Sequence, residues 1–459
     1  MNLYALLNRR AREGKPLRVA LIGAGKFGSM FLSQARRTAG LHIVAIVDLA
    51  PARAREACAR VDWKPEALAA GSLEEAHRLG TTLVTDDAAR TIGSDFVDVV
   101  VDATGSPAAG IRHVLLCCEY RKHIVMVNVE ADALAGPLLA QRAARAGIVY
   151  SLAYGDQPAL ICEMVDWART AGFEVVAAGK GTKYLPGYHE STPDTVWGHY
   201  GFTPEMVAKG DFNPQMFNSF LDGTKSAIEM TAVSNATGLT PSPDGLGFPP
   251  CGADELPHLL KPRAEGGLLH HRGQVEVISS LQRDSGPVFR DLRWGVYVTF
   301  AGDSDYVRRC FKEYGLITDE SGNYSAMYKP YHLIGLELGI SVALVGLRGE
   351  STGCATGFRA DAVAVAKRAL RQGERLDGEG GYTVFGRLMP ASDSLRKRAL
   401  PIGLAHGVTL KRDISRGTVV TWDDVSEMDG EAARFRREME NSMRAELGLG
   451  VSAEVKAAA

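Results

Sequence analysis

The stretch LRVALIGAGKFGSMFLSQARR (17–37) restricts the fold more than any other in the chain. An apolar strand-forming run enters a glycine turn, and a helical pattern leaves it. Gly23, Gly25 and Gly28 fit GxGxxG, with Lys26 and Phe27 inside the turn. The first glycine permits the tight turn, the second lets a pyrophosphate approach the backbone, and the third lets helix and strand pack closely. The pattern alone is weak, but its context strengthens it. A second apolar run, LHIVAIVDLA (41–50), ends in Asp48, 20 residues beyond Gly28, where a carboxylate meets the ribose hydroxyls of a bound dinucleotide. That charge repels a 2′-phosphate and favours NAD over NADP, although Arg53 and Arg55 lie close enough to keep NADP open.

Two further runs continue the alternation. FVDVVVDATGSPAAG (96–110) is a parallel-sheet strand with a small-residue loop, and it places Thr104 and Gly105 where the nicotinamide half would lie. HIVMVNVEAD (123–132) leaves Asn128 and Glu130 at a strand's carboxyl end, the ligand-binding edge of an open α/β sheet. Helix capping would account for these two equally well.

With 459 residues the chain has room for two to four domains, and the −2 formal charge offers no basic field for nucleic acid. The seven cysteines follow no CxxC spacing, which suits reduced thiols. The first twenty residues lack a signal-peptide core, and the longest apolar run, 333–347, contains Glu337 and is too short for a bilayer. A cytoplasmic protein without a membrane partner is expected.

After GDQP (155–158) the strict strand–helix alternation stops. FEVVAAGKGTKYLPGYHESTPDTVWGHYG (173–201) is the densest polar stretch, read as a strand running into a glycine-flanked loop. Lys180 and Lys183 on that loop suit an anionic ligand, with Asp156, His189 and Asp194 beside them as candidate substrate contacts. In FLDGTKSAIEM (220–230), Asp222, Lys225 and Glu229 share one face if the segment is a single helix. A solvated ion-pair stripe is the plain alternative. Residues 235–262 are rich in proline and glycine and read as a lid or binding loop.

The order of these parts, followed by KPYHLIGLELGISV, resembles the homoserine dehydrogenase superfamily. GKGTKYLPGYHESTPDTVWGHYG and VNVEAD, with LPIGLAHGVTLKRDISRGTVVTWDDV near the end, are most similar to its branch with a C-terminal SAF-like module. That branch includes 1-deoxy-D-xylulose 5-phosphate reductoisomerase-like oxidoreductases of isoprenoid precursor synthesis. The resemblance implies that Asp222 and Lys225 are the catalytic acid and lysine, with Lys183 beside them. Lys225 would donate to the developing alkoxide as hydride arrives. Two departures from the dehydrogenases stand out: the spacing is Asp-x-x-Lys, and VNVEAD lacks their lysine. These disfavour homoserine and favour a polyol or sugar phosphate.

The expected fold is α/β: an N-terminal Rossmann doubly wound parallel sheet (1–155), an inserted α+β substrate domain (156–330), helices returning to the Rossmann domain (331–385), and a small β-rich SAF-like domain with a C-terminal helix (386–459). The expected activity is NAD(P)(H)-dependent oxidoreduction of a small hydroxylated, phosphorylated carbonyl compound by a homo-oligomer. In its sharpest form this is reduction and isomerisation of 1-deoxy-D-xylulose 5-phosphate to 2-C-methyl-D-erythritol 4-phosphate. Homoserine, polyol or hydroxy-acid dehydrogenation is the alternative within the class, and a non-catalytic dinucleotide sensor the alternative outside it. Rearrangement of a hydroxy-ketone would call for a divalent cation on oxygen ligands, for which Glu130, Asp156 and Asp194 are the acids at hand, although no ligand spacing marks a metal site.

Overall fold

The computed structural model describes residues 2–209 and 212–449. These form two compact units. One holds the residues up to Cys162 together with His332–Thr356, and the other holds Glu163–Tyr331 and the residues from Gly357 onward.

In the first unit, β1 (Leu17–Ile22), β2 (Leu41–Val47), β3 (Leu83–Thr85), β4 (Val99–Asp102), β5 (His123–Met126) and β6 (Tyr150–Leu152) form one sheet in the order β3-β2-β1-β4-β5-β6. All its neighbours are parallel. The order reverses at β1, which makes the sheet doubly wound and puts a topological switch point beside the glycine turn. β1 and β4 are buried nearly throughout, as strands covered on both faces must be, and their apolar runs are therefore continuous. Leu21, Phe31, Leu32, Ile46 and Val101 meet in the core between sheet and helices, and Val342 of the Gly339–Arg348 helix closes it.

The second unit is built on β7 (Glu174–Thr182), β8 (Gln274–Ser279), β9 (Val296–Ala301) and β10 (Tyr324–Lys329), in the order β10-β9-β7-β8. Only the β7–β8 pair is parallel. Here the structure corrects the expected loop at Lys180. The residue lies inside β7, because Gly179 and Gly181 do not make a turn. They let neighbouring backbone press against the strand: a Cβ on either would fall 1.8 Å from a carbonyl oxygen, of Glu276 and of Leu292 respectively.

Glu276 is buried in β8, where one carboxylate oxygen accepts from the backbone N–H groups of Gly247, Phe248 and Val277. Burial outweighs these bonds and pushes its carboxyl up to about 7. A folded pKa above the unfolded value means that its stabilising contribution is complete below pH 4.5 and is lost as pH rises through about 7. Glu276→Gln should therefore flatten the decline in unfolding free energy across that window, read by urea titration at several pH values. An unchanged slope would reassign the ionisation.

Residues 357–385 depart from the helices expected there. They lie in the second unit and contain β11 (Ala360–Ala366) and β12 (Arg375–Asp377). β11 pairs antiparallel with β13 (Val384–Pro390), and β12 with β14 (His406–Thr409). ADAVAVA is buried at every position, so it reads as a covered strand rather than a helix face. The small β-rich part thus begins before residue 386. A helix over Glu431–Glu446 packs on it through Arg436, which is fully buried and bonded to Asp361 at 2.6 Å and Glu440 at 2.8 Å. This is the expected C-terminal helix, and the tail VSAEVKAAA lies outside the described residues. Among the described residues no helix is long and apolar enough to cross a membrane.

Candidate active site

The glycine turn of the first unit has a different physical demand at each position. Gly23 sits at φ +94°, and a Cβ there would meet the Ala103 carbonyl at 2.7 Å. A Cβ on Gly28 would fall 2.2 Å from the Gly23 oxygen, so the helix packs on the turn only through glycine. Around Gly25 there is nothing within 4 Å of a would-be Cβ, and no side chain caps the Lys26–Ala35 helix that starts there. Space, a helix start without a side-chain cap and the positive end of the helix dipole coincide where a pyrophosphate would sit. Lys26 is exposed on the first turn, and Phe27 packs on the core.

Asp48 follows β2 and is half-buried. Its two oxygens accept from Ala24 N–H at 3.0 Å and Ala50 N–H at 2.9 Å, which fixes the carboxylate against the turn. At the end of β4, Thr104 donates both its N–H and its hydroxyl to buried Asp102, and Gly105 follows at φ +67°. His113 Nδ1 lies 2.9 Å from the other Asp102 oxygen. Asn128 caps the Val129–Ala146 helix through Ala131 N–H and donates its amide to the Thr104 hydroxyl at 3.1 Å. The β4 and β5 ends are thereby tied into one rigid rim, of which the sequence showed Thr104 and Asn128 but not Asp102 or His113. Glu130 is half-buried in the first turn of the same helix, and Asp156 is buried and accepts from Gln157 N–H.

In the second unit the segment 220–230 is not one helix. A helix over Pro214–Leu221 ends, Gly223 takes φ +90°, and a new helix runs from Thr224 to Thr237. Only glycine adopts that backbone readily, so the shared face expected for Asp222, Lys225 and Glu229 is broken at Asp222. Nor is the polar stripe solvated, since every residue from Thr224 to Asn235 is buried. Lys225, 9% exposed, stands in the first turn of the new helix. Glu229, one turn on, forms a buried ion pair with Lys180.

Asp222 is 0% exposed and pairs at 2.8 Å with Lys367, a residue the sequence reading passed over. Its other oxygen accepts from the N–H of Thr224, the first residue of the new helix, at 2.9 Å. Lys367 Nζ also donates to the carbonyls of Ser191 and Gly381, both at 2.7 Å. A lysine closing a fully apolar strand, AVAVAK, was the available signal. His189 donates from Nδ1 to the Asp222 carbonyl at 2.6 Å, while its Nε2 lies 3.0 Å from the Tyr184 hydroxyl. Burial holds this imidazole below its usual range.

Lys183 follows β7, half-buried, donating to the His199 carbonyl and lying over the Tyr200 ring. Burial first, then the neighbouring Arg293 guanidinium, lower its pKa. Arg293 itself lies over Tyr200 and Trp294. The pair gives this end of the sheet a concentrated positive charge. Asp194 instead accepts from the exposed Tyr382 hydroxyl at 2.9 Å. Among the described residues no three His, Cys, Asp or Glu side chains gather as a metal-holding group.

Comparison with known proteins agrees with this layout. Residues 155–338 match the family model described as oxidoreductase DRL, catalytic domain, and residues 361–426 match the SAF domain. Two parts of the chain are thus similar to an oxidoreductase catalytic domain and to a SAF domain. No curated protein matches. Among solved structures, 1-deoxy-D-xylulose 5-phosphate reductoisomerase from Zymomonas mobilis is similar at 16% identity over 48% of this chain, with a TM-score of 0.33. The match spans only 57% of that enzyme. A homoserine dehydrogenase from Thiobacillus denitrificans is similar at 14% identity over 72% of this chain and 73% of its own, with a TM-score of 0.43. At these identities and TM-scores neither likeness says anything of substrate.

Proposed function

We propose that the protein is an NAD(P)H-dependent oxidoreductase acting on a small, hydroxylated, anionic carbonyl compound. The open space at Gly25, over an uncapped helix N-terminus, carries this reading. Those N–H groups would hold the pyrophosphate, and Asp48 would accept from the ribose hydroxyls. Its negative charge favours NAD over NADP, the more so because Arg55 is occupied with the Leu68 carbonyl. When bound, the nicotinamide supplies or accepts the hydride.

The chain's own residues would bind the substrate and move the proton. Lys183 and Arg293 suit a phosphate or carboxylate. Lys225 would give its proton to the substrate oxygen as that oxygen gains charge. Asp222, committed to Lys367, would act by holding the start of the Lys225 helix.

The sharpest form of the proposal is reductive isomerisation of 1-deoxy-D-xylulose 5-phosphate to 2-C-methyl-D-erythritol 4-phosphate. It is supported by the resemblance of 173–201 and of VNVEAD. A panel of sugar phosphates, polyols and hydroxy acids, assayed with both cofactors, tests the class. Steady cofactor turnover with a phosphorylated carbonyl compound is expected. Turnover with homoserine or an uncharged polyol alone would replace the substrate assignment, and binding without turnover would favour a sensor.

A further inference from the structure

The second unit contains a cavity of about 250 Å³ that none of this chemistry uses. Gly223 and Ala227 line it from the Thr224–Thr237 helix. Ala227 is two residues from both Lys225 and Glu229, roughly 200° around a helix of 3.6 residues per turn. The cavity is therefore on the helix face opposite those two side chains, towards β13.

Phe248, Phe385, Leu246 and Leu388 supply the apolar part of its walls. His189 stacks on Phe385 at 4.5 Å, and with both ring nitrogens engaged it adds only a ring face. Two charged side chains line the same space: Arg387, half-buried in β13, and Asp244, exposed on the facing loop. The Arg387 guanidinium and the Asp244 carboxylate each form no ion pair or hydrogen bond with any described residue, and they do not pair with each other. The loop is held in place. A Cβ on Gly245 would meet the Leu388 carbonyl at 2.8 Å, and Arg283 donates to the Phe248 carbonyl at 3.0 Å.

Two opposite charges without partners, one half-buried and one exposed at the rim of a partly apolar cavity, match a ligand carrying both counter-charges and an apolar body. We propose that this is a binding site for a free α-amino acid with an apolar side chain. The carboxylate would lie on Arg387, the ammonium on Asp244, and the side chain between Phe248 and Phe385. A phosphate dianion would be repelled by Asp244, and a neutral molecule would leave both charges unmatched. The volume falls below the ~300–1,000 Å³ of drug-sized pockets and suits a molecule of this size.

Thermal melts of the full chain with each of the twenty standard amino acids would find the ligand. Calorimetric titration of the best one would follow, with its deaminated and decarboxylated analogues as controls. An apolar amino acid should bind saturably, and loss of either of its charges should weaken binding by about tenfold or more. R387Q and D244N should do the same without lowering the unliganded melting temperature, since neither side chain has an internal partner to lose. Absence of saturable binding by any amino acid would overturn the proposal, as would equal affinity for R387Q. Binding that ignored D244N and the missing ammonium would also overturn it, leaving a site for simple carboxylates.

Discussion

Asp222→Ala is expected to destabilise the second unit by about 3–5 kcal/mol, because it leaves the Lys367 ammonium buried without its counter-charge. Lys367 is 5% exposed and cannot turn to water, and its two carbonyl partners carry only partial charge. Losing the Asp222 acceptor also leaves the buried Thr224 N–H, at the start of the helix that bears Lys225, without its side-chain partner, which adds about 1–3 kcal/mol. The double variant Asp222→Leu with Lys367→Met should recover most of the ion-pair loss, since an apolar pair of similar volume removes both desolvation costs. Urea titrations of the parent, Asp222→Leu, Lys367→Met and the double variant, analysed as a cycle, give the coupling directly. Additive effects would mean that Asp222 and Lys367 do not act as a pair, and Asp222 would return to the list of groups free to touch substrate.

Lys225→Met should lower turnover by about 10²–10⁴-fold, the usual range for removing a positioned proton donor. Cofactor affinity should stay within about twofold of the parent, because the Gly25 turn belongs to the other unit. Lys183→Met should act differently, mainly by raising KM for the anionic substrate. It removes half of the Lys183–Arg293 charge pair but no part of the Thr224–Thr237 helix. Near-normal turnover in Lys225→Met would discard its role as donor. In that event the depressed pKa of Lys183 makes it the next candidate.

The first unit was legible because its signals are local. Each buried parallel strand is an unbroken apolar run, and Gly23 and Gly28 of GAGKFG answer to neighbours within the same strand–turn–helix or just past the adjacent strand. The second unit hid its logic in two ways. Glycine has more than one use: in GKG it admits neighbouring backbone to a strand, and at Gly223 it ends a helix, yet period alone shows neither. Partnership is also non-local. Asp222 finds Lys367 across 145 residues, and Arg436 finds Asp361 across 75, so no window of sequence contains either pair. The strand ADAVAVA was missed because small alanines interrupt the branched residues that mark strands elsewhere in the chain.

The most direct measurement is a fluorescence titration of the purified chain with NADH and NADPH, beside a Gly25→Val variant. Gly25 has φ −67° and open space around it, so valine should leave the melting temperature unchanged while filling the place of the pyrophosphate. Saturable binding of the parent, tighter for NADH, and its loss in the valine variant are the predicted results. Failure of the parent to bind either dinucleotide, or undiminished binding by the variant, would contradict the account.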